Sequence, residues 1–336
     1  MTSPPLTAER WERLLACSNE FTCYSAAVAV WSAAIDEDWG RSVNAGLWLT
    51  LTEAGDGLFG FAYFRPELRA ELGLVRTGAD DTASAIDGVL EEVARSGRVI
   101  IAGDGFHLPW HVAAGRRHLP HWYVLSEGEQ GLEVMDPFAC RNELGVQEAT
   151  RRPVSRESLA ELLLALPGDD PVHRLRERLA LGDETTDGTG YRHQWFVNGD
   201  VADWRRPVGT DGPTAVLRLA RHFRDHGQDP GAYVQADDIW SIARHRAFLV
   251  RCAQERAGTD GDAALASWAT EHVAPLATKW GHIAPLLMQA ALALRAGRAA
   301  SASVPDTLEA LAEMERSAAR VSEENSFTIM TTMHRP

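Results

Sequence analysis

A thiol, an imidazole and a carboxylate stand in chain order at Cys23, His121 and Asp136, and side chains of those three types suffice for acyl transfer. The attacking species is the thiolate, which a helix N-terminus and a neighbouring imidazolium both favour. Cys23 meets the first condition: in FTCYSAAVAVWSAAI a β-like Phe-Thr gives way at once to an Ala-rich helical run. The second condition rests on His121, which in turn needs an orienting group. His121 opens the β-like run Trp122–Leu125, and Asp136 closes the run Leu132–Met135. Antiparallel strands joined through the turn Glu127–Gly131 set the start of one beside the end of the other, so the spacing predicts that His121 and Asp136 are neighbours. Each residue also has a plainer reading: Cys23 as a small core side chain, His121 as a satisfied buried histidine, Asp136 as a turn residue before Pro137. The combination is more specific than any one of them.

The elements that must position these residues are legible in outline. The stretch Arg98–Phe138 holds three short β-like runs, Val99–Ala102 and the two above, parted by Gly-containing turns. Upstream, Cys23–Ile35 is apolar nearly all round, as a central buried helix is. A second helix is predicted over Arg41–Leu51. The Gly-rich turn Gly55–Gly60 leads to Phe61–Phe64, a strand or a loop lining the site. Pro66–Leu72 reads as helical, and DDTASAIDGVLEEVARSG as a helix with the face Ile86, Val89, Leu90 and Val93 and a stop at Gly97. Helices first and antiparallel sheet second is the segregated α+β layout.

Beyond Asp136 the chain changes character. In RRPVSRESLAELLLALPG, Ser155 caps a helix that ends before Pro167, and a domain boundary is placed here, giving residues 1–153 and 154–336. His173–Leu181 reads as a short helix, GDETTDGTG as a loop, and YRHQWFVNGD as a strand or lid segment. Four long helical patterns follow at about 213–227, 230–257, 262–296 and 305–323, with Pro275 and Pro285 bending or dividing the third. The second half is thus expected to be all-α, a lid over an apolar channel, with Trp240, Trp268 and Trp280 on helical stripes. The tail SFTIMTTMHRP is apolar and β-prone.

Four histidines at 107, 111, 118 and 121 invite a metal reading, but the spacing does not support one. Pro109 interrupts the i, i+4 pair His107 and His111, and there is no HExxH pattern. His107, Trp110 and His111 read instead as loop residues at the mouth of the site, Trp122 as a residue lining it, and Asp104 as a turn or supporting residue.

Composition limits the function classes. The net charge of −14 argues against sequence-independent nucleic-acid binding, which needs a basic footprint. Basic residues are nearly all Arg, with Lys279 the only lysine. Cysteines at 17, 23, 140 and 252 form no CxxC pair or dense framework, which fits a reducing cytoplasm. The N-terminal segment lacks a basic region followed by an apolar core, and its Trp11, Leu14 and Leu15 suggest an amphipathic helix. No window reaches 18 apolar residues, so no membrane span is predicted.

The pieces Cys23 at a helix start, GDGLFGFAY at Gly55–Tyr63, GDGFHLPWH at Gly103–His111, HLPHWYVL and MDP resemble the N-terminal domain of the butirosin-type acyltransferase family, itself similar to papain-like and bacteriocin-leader (C39-like) cysteine peptidases. IWSIARHRAFL and the helix ending at KWGHIAPLL are similar, more loosely, to the helical domain that follows in that family. In length and two-part layout the chain looks like the Dieckmann cyclases that off-load tetramate-forming polyketide–peptide hybrids. The resemblance implies a papain/C39-like catalytic domain with an antiparallel sheet, an all-α domain after it, catalytic Cys23, His121 and Asp136, an acyl or peptidyl carrier protein as partner, and no cofactor or metal. The Cys23 N–H is one expected oxyanion donor. Papain-like enzymes place a Gln six residues before the nucleophile; here Cys17 stands there, so Asn19 or a backbone group must serve, and peptidase activity is put in doubt. An acyltransferase with an external amine acceptor, a cysteine hydrolase and a non-catalytic binding protein are the alternatives.

Overall fold

Antiparallel pairing of β-branched and aromatic runs builds a six-stranded sheet, with strands β1 (Leu74–Ala79), β2 (Arg98–Asp104), β3 (Pro120–Gly128), β4 (Gly131–Asp136), β5 (Thr150–Pro153) and β6 (His193–Asn198) in the order β1-β6-β2-β3-β4-β5. The computed structural model describes residues 6–43, 46–55, 57–64, 68–164, 172–173, 175, 191–200 and 209–325. The chain divides into two compact units: Met1–Val43, Pro66–Arg178 and Asp183–Arg205 form the first, Asn44–Arg65, Leu179–Gly182 and Arg206–Pro336 the second.

In the first unit the three runs read from the sequence are the adjacent strands β2, β3 and β4. The β3–β4 hairpin turns between the paired Gly128 and Gly131, and Val124 stands opposite Met135. The helix Thr82–Ser96 starts at Asp81, whose carboxylate accepts from Ser84 N–H, and stops at left-handed Gly97. Its Ala85, Val89 and Val93 join Val99, Ile101, Tyr123, Leu125, Val134, Leu159 and Trp195 in one core, with Ile86 and Leu90 packed at the edge. Alternation along β3 sends Tyr123 and Leu125 into this core and Trp122 to the other face, where its ring meets Tyr24. Tyr24 belongs to the helix Cys23–Ile35, buried from Tyr24 to Ala34 and packed on β3. The segment Pro66–Leu72 contains the one-turn helix Leu68–Glu71.

Two expectations, the helix over Arg41–Leu51 and the all-α second half, are corrected by strand pairings. The helix foreseen over Arg41–Leu51 is only Trp39–Val43; Thr50 and Leu51 pair instead with Ala62 and Phe61 in the hairpin of strands Thr50–Gly55 and Leu58–Ala62. That hairpin, completed by Thr210–Asp211, lies in the second unit, which is therefore not purely helical. Of the two readings of YRHQWFVNGD the structure has the strand: His193–Asn198 is β6, in register with β1 from His193↔Ala79 to Asn198↔Leu74 and with β2 at Gln194↔Ala102. A single division at 153/154 would cut that sheet.

The other main described elements of the second unit are helices: Gly212–His226, Ala236–Asp260, Ala263–Trp268, Ala274–Gly281, Ile283–Arg295 and Ser303–Glu324. The 230–257 pattern resolves into a 3₁₀ turn, Pro230–Tyr233, and the Ala236–Asp260 helix. The third pattern is divided as its prolines require. A π turn at Ala269–Val273 precedes Pro275, and the next helix ends at Gly281, whose carbonyl would have needed the N–H that Pro285 lacks. Arg246 and Glu315 are paired in the core at 2.9 Å, with Trp280 Nε1 donating to the same carboxylate and Arg246 donating to the Trp48 carbonyl. Ser155 caps a turn by accepting from Ser158 N–H, ahead of the Leu159–Leu162 helix. The readings at His173–Leu181, GDETTDGTG and SFTIMTTMHRP fall wholly or mostly outside the described residues. Among the described residues no helix is long and apolar enough to cross a membrane.

Candidate active site

Thr22 places the thiol. Its hydroxyl accepts from Ser25 N–H at 3.2 Å while Ser25 Oγ accepts from Thr22 N–H at 2.7 Å, a capping box that makes Cys23 the first residue of its helix. The N–H groups of a first turn have no partner within the helix and carry the positive end of its dipole. Cys23 is partly exposed and begins the helix at that positive end.

His121 and Asp136 come together through the β3–β4 hairpin. With Val124 opposite Met135, the two side chains share a face and stand diagonally across the pair, close enough for long side chains to meet. His121 Nε2 lies 2.6 Å from Asp136 Oδ2, with both side chains fully buried. The same Oδ2 accepts from Trp110 Nε1 at 2.9 Å and Gln147 Nε2 at 3.2 Å, and Oδ1 accepts from Phe138 N–H at 3.1 Å. These donors offset the desolvation of a buried carboxylate and fix its direction.

Cys23 is hydrogen-bonded to His121. Since Nε2 is committed to Asp136, the nitrogen facing the thiol is Nδ1. Burial alone would push His121 down, but the charge and hydrogen bond of Asp136, then the hydrogen bond and charge of Cys23, reverse this and hold the imidazole up at about 10. The imidazole is therefore cationic at neutral pH while its partners are in place.

A second histidine abuts the first. The ring of His111 lies 4.4 Å from that of His121, centroid to centroid. Its Nδ1 accepts from Ala113 N–H at 3.1 Å, which fixes the neutral tautomer with the proton on Nε2. Burial, and then the charge of His121, push His111 down to about 2, so His111 stays neutral beside the imidazolium. The Gly105 backbone makes room for it: a Cβ there would sit 2.4 Å from His111 Nδ1.

The structure brings Cys23, His121 and Asp136 together, with Trp110 as a support of Asp136 rather than a group at the mouth. His107 sits in the loop between β2 and β3, with its ring against Phe106 and His118. Trp122 is buried between Tyr24 and Phe196 as core packing. Asn19 is exposed in the turn before Cys23. Gln147 and Thr22 were not legible as site residues. Gln147 reaches Asp136 from the small hairpin Cys140–Asn142/Gly145–Gln147, which no motif announces; Thr22 forms its capping box with Ser25 rather than with the usual Glu or Gln. Side chains with metal-ligand chemistry also cluster at Asp104, His107 and His118. No family model and no curated protein matches the chain.

Proposed function

We propose that this chain is a Cys-His-Asp acyl-transfer enzyme of papain-like descent, and specifically a Dieckmann cyclase that releases a β-ketoacyl-aminoacyl chain from a carrier-protein thioester as a tetramic acid. The observation that carries the reading is the continuous relay from Cys23 through His121 to Asp136, with the thiol at a capped helix start and the base oriented by a buried carboxylate. A thiolate paired with an imidazolium is the reactive form of a cysteine nucleophile.

The steps balance without a cofactor. Cys23 thiolate adds to the thioester carbonyl, with the N–H of its own helix start facing the developing oxyanion. Collapse expels the carrier thiolate, which takes the proton from His121 Nδ1. His121, now neutral, removes the acidic proton from the carbon between the two carbonyls of the bound chain. The carbanion attacks the acyl carbon, a C–C bond closes the five-membered ring, and Cys23 leaves as thiolate beside the re-formed imidazolium. Around the relay stand Trp110, Phe138 and neutral His111, a setting that suits an apolar chain and intramolecular closure better than a polycationic acceptor. The partner in this account is an acyl or peptidyl carrier protein, and the setting a reducing cytoplasm.

The test is product identity. Given a small-molecule β-ketoacyl-aminoacyl thioester and no amine, the enzyme should release a pyrrolidine-2,4-dione, because a tethered carbanion reacts at an effective concentration on the order of 10⁵ M or more. A linear acid identifies a hydrolase instead, and release that needs an added amine identifies an acyltransferase.

A further inference from the structure

We infer that Asp104, His107 and His118 form a binding site for a divalent transition-metal ion of the zinc class, at the base of the loop between β2 and β3. This does not depend on the proposed function. Asp104 ends β2 and is fully buried; its Oδ1 accepts from the N–H groups of Phe106 at 3.0 Å and Leu119 at 3.2 Å, one on each arm of the loop. That leaves Oδ2 for two imidazoles. His118 Nδ1 lies 2.5 Å from it and His107 Nε2 lies 3.9 Å from it, and the three ligand atoms are all within 4.8 Å of one another.

The His107 distance is too long for a hydrogen bond, yet its nitrogen faces the same oxygen. Bonds of about 2.0–2.2 Å in a tetrahedral zinc site put ligand atoms about 3.3–3.6 Å apart. A bound ion would therefore draw His107 in and move His118 out by less than or about 1 Å, while Asp104 stays where the two backbone N–H groups hold it. Both imidazoles are partly exposed, at 28% and 42%, so they can make that adjustment and leave a coordination position to water. Phe106 braces both rings, stacked on His118 at 4.3 Å and edge-on to His107 at 5.0 Å. Two imidazoles and one carboxylate with oriented supports make a donor set suited to zinc. The other two histidines of the cluster are taken: His111 accepts from Ala113 N–H, and His121 serves Asp136 and Cys23.

An ion here would tie the two arms of a loop that carries Trp110 and His111, the residues against Asp136 and His121. The experiment uses the full chain, stripped with chelator and carrying Cys23→Ala so that the thiol cannot bind the probe. Zinc chloride is titrated by calorimetry and by thermal melting, and cobalt(II) by visible absorption. The inference predicts one zinc per chain, a melting temperature raised by several degrees at saturation, and a loss of at least tenfold in affinity with His107→Ala and again with His118→Ala. Both positions are at the surface, and circular dichroism checks that each variant folds. His222→Ala, which removes one of the adjacent helical pair His222 and His226, should change nothing. Absence of stoichiometric zinc, affinity in the His107→Ala or His118→Ala variant unchanged from that of the parent, or loss of binding with His222→Ala overturns the inference.

Discussion

Asp136 Oδ2 receives three donors, from His121, Trp110 and Gln147, so perturbing any of them should be read at His121. Asp136→Asn removes the largest influence that raises His121. Catalysis should fall on the order of 10²–10⁴-fold and the alkaline limb of the rate profile should move to lower pH; an unmoved limb contradicts the assignment. Gln147→Ala removes one hydrogen bond of about 1 kcal/mol, so kcat should fall about five- to tenfold with KM little changed. The sign of the stability effect follows from the direction of the shift. His121 is raised from its ordinary value of 6.5 to about 10, so its imidazolium is favoured in the fold. That contribution is fully present below about pH 6.5 and is lost as pH rises to about 10. Thermal melts across that window should show a decline that His121→Gln flattens. The pairing of His121 with Asp136 was legible because both flank one hairpin; Gln147 was not, because its approach depends on a turn that brings a remote side chain onto the same oxygen.

At the scale of the element, the start of the Cys23–Ile35 helix is the critical feature. Thr22→Ala breaks the capping box, at a cost of about 1 kcal/mol in stability. It also loosens the first turn that presents Cys23, so acylation should slow even where the fold survives, a loss measurable by single-turnover kinetics. Gly105→Ala tests the loop packing: a Cβ 2.4 Å from His111 Nδ1 must displace that ring, and with it the face of His121. The variant should lose more activity than a surface Gly115→Ala change, for which the added Cβ meets nothing within 4 Å, although the positive φ of Gly115 adds local strain. Helices with a periodic face and a capping residue, such as Thr82–Ser96, could be read directly, and so could the division of the 262–296 pattern by Pro275 and Pro285. The strand Thr50–Gly55 could not, because the apolar run Leu47–Leu51 suits a helix or a strand until its partner is known. The segment of strand β6 could be read only as a strand or a lid, since its partners β1 and β2 lie about ninety to a hundred and twenty residues earlier.

At the scale of the molecule, the two units have different kinds of core. The first is an aliphatic and aromatic core under a sheet. The second encloses an ion pair, Arg246 with Glu315, supported by Trp280 and the Trp48 carbonyl. Glu315→Ala strands a buried guanidinium and should destabilise the second unit by about 3–5 kcal/mol, seen as an earlier transition in denaturant. The broad α+β class was readable from the order of the elements; the interleaving of the units was not, because segments 50–62 and 193–198 are assigned by pairing rather than by composition.

The claim beneath all of this is that Cys23 is held as a thiolate by His121. Its most direct measurement is the rate of Cys23 alkylation by iodoacetamide between about pH 5 and pH 9, read by peptide mass, in the native protein and in His121→Ala. An activated pair predicts a rate already near its plateau at about pH 6, and in the variant a rise displaced to the ordinary thiol range near about 8.5. A native protein whose rate climbs only near about 8.5, unchanged by His121→Ala, would contradict the account.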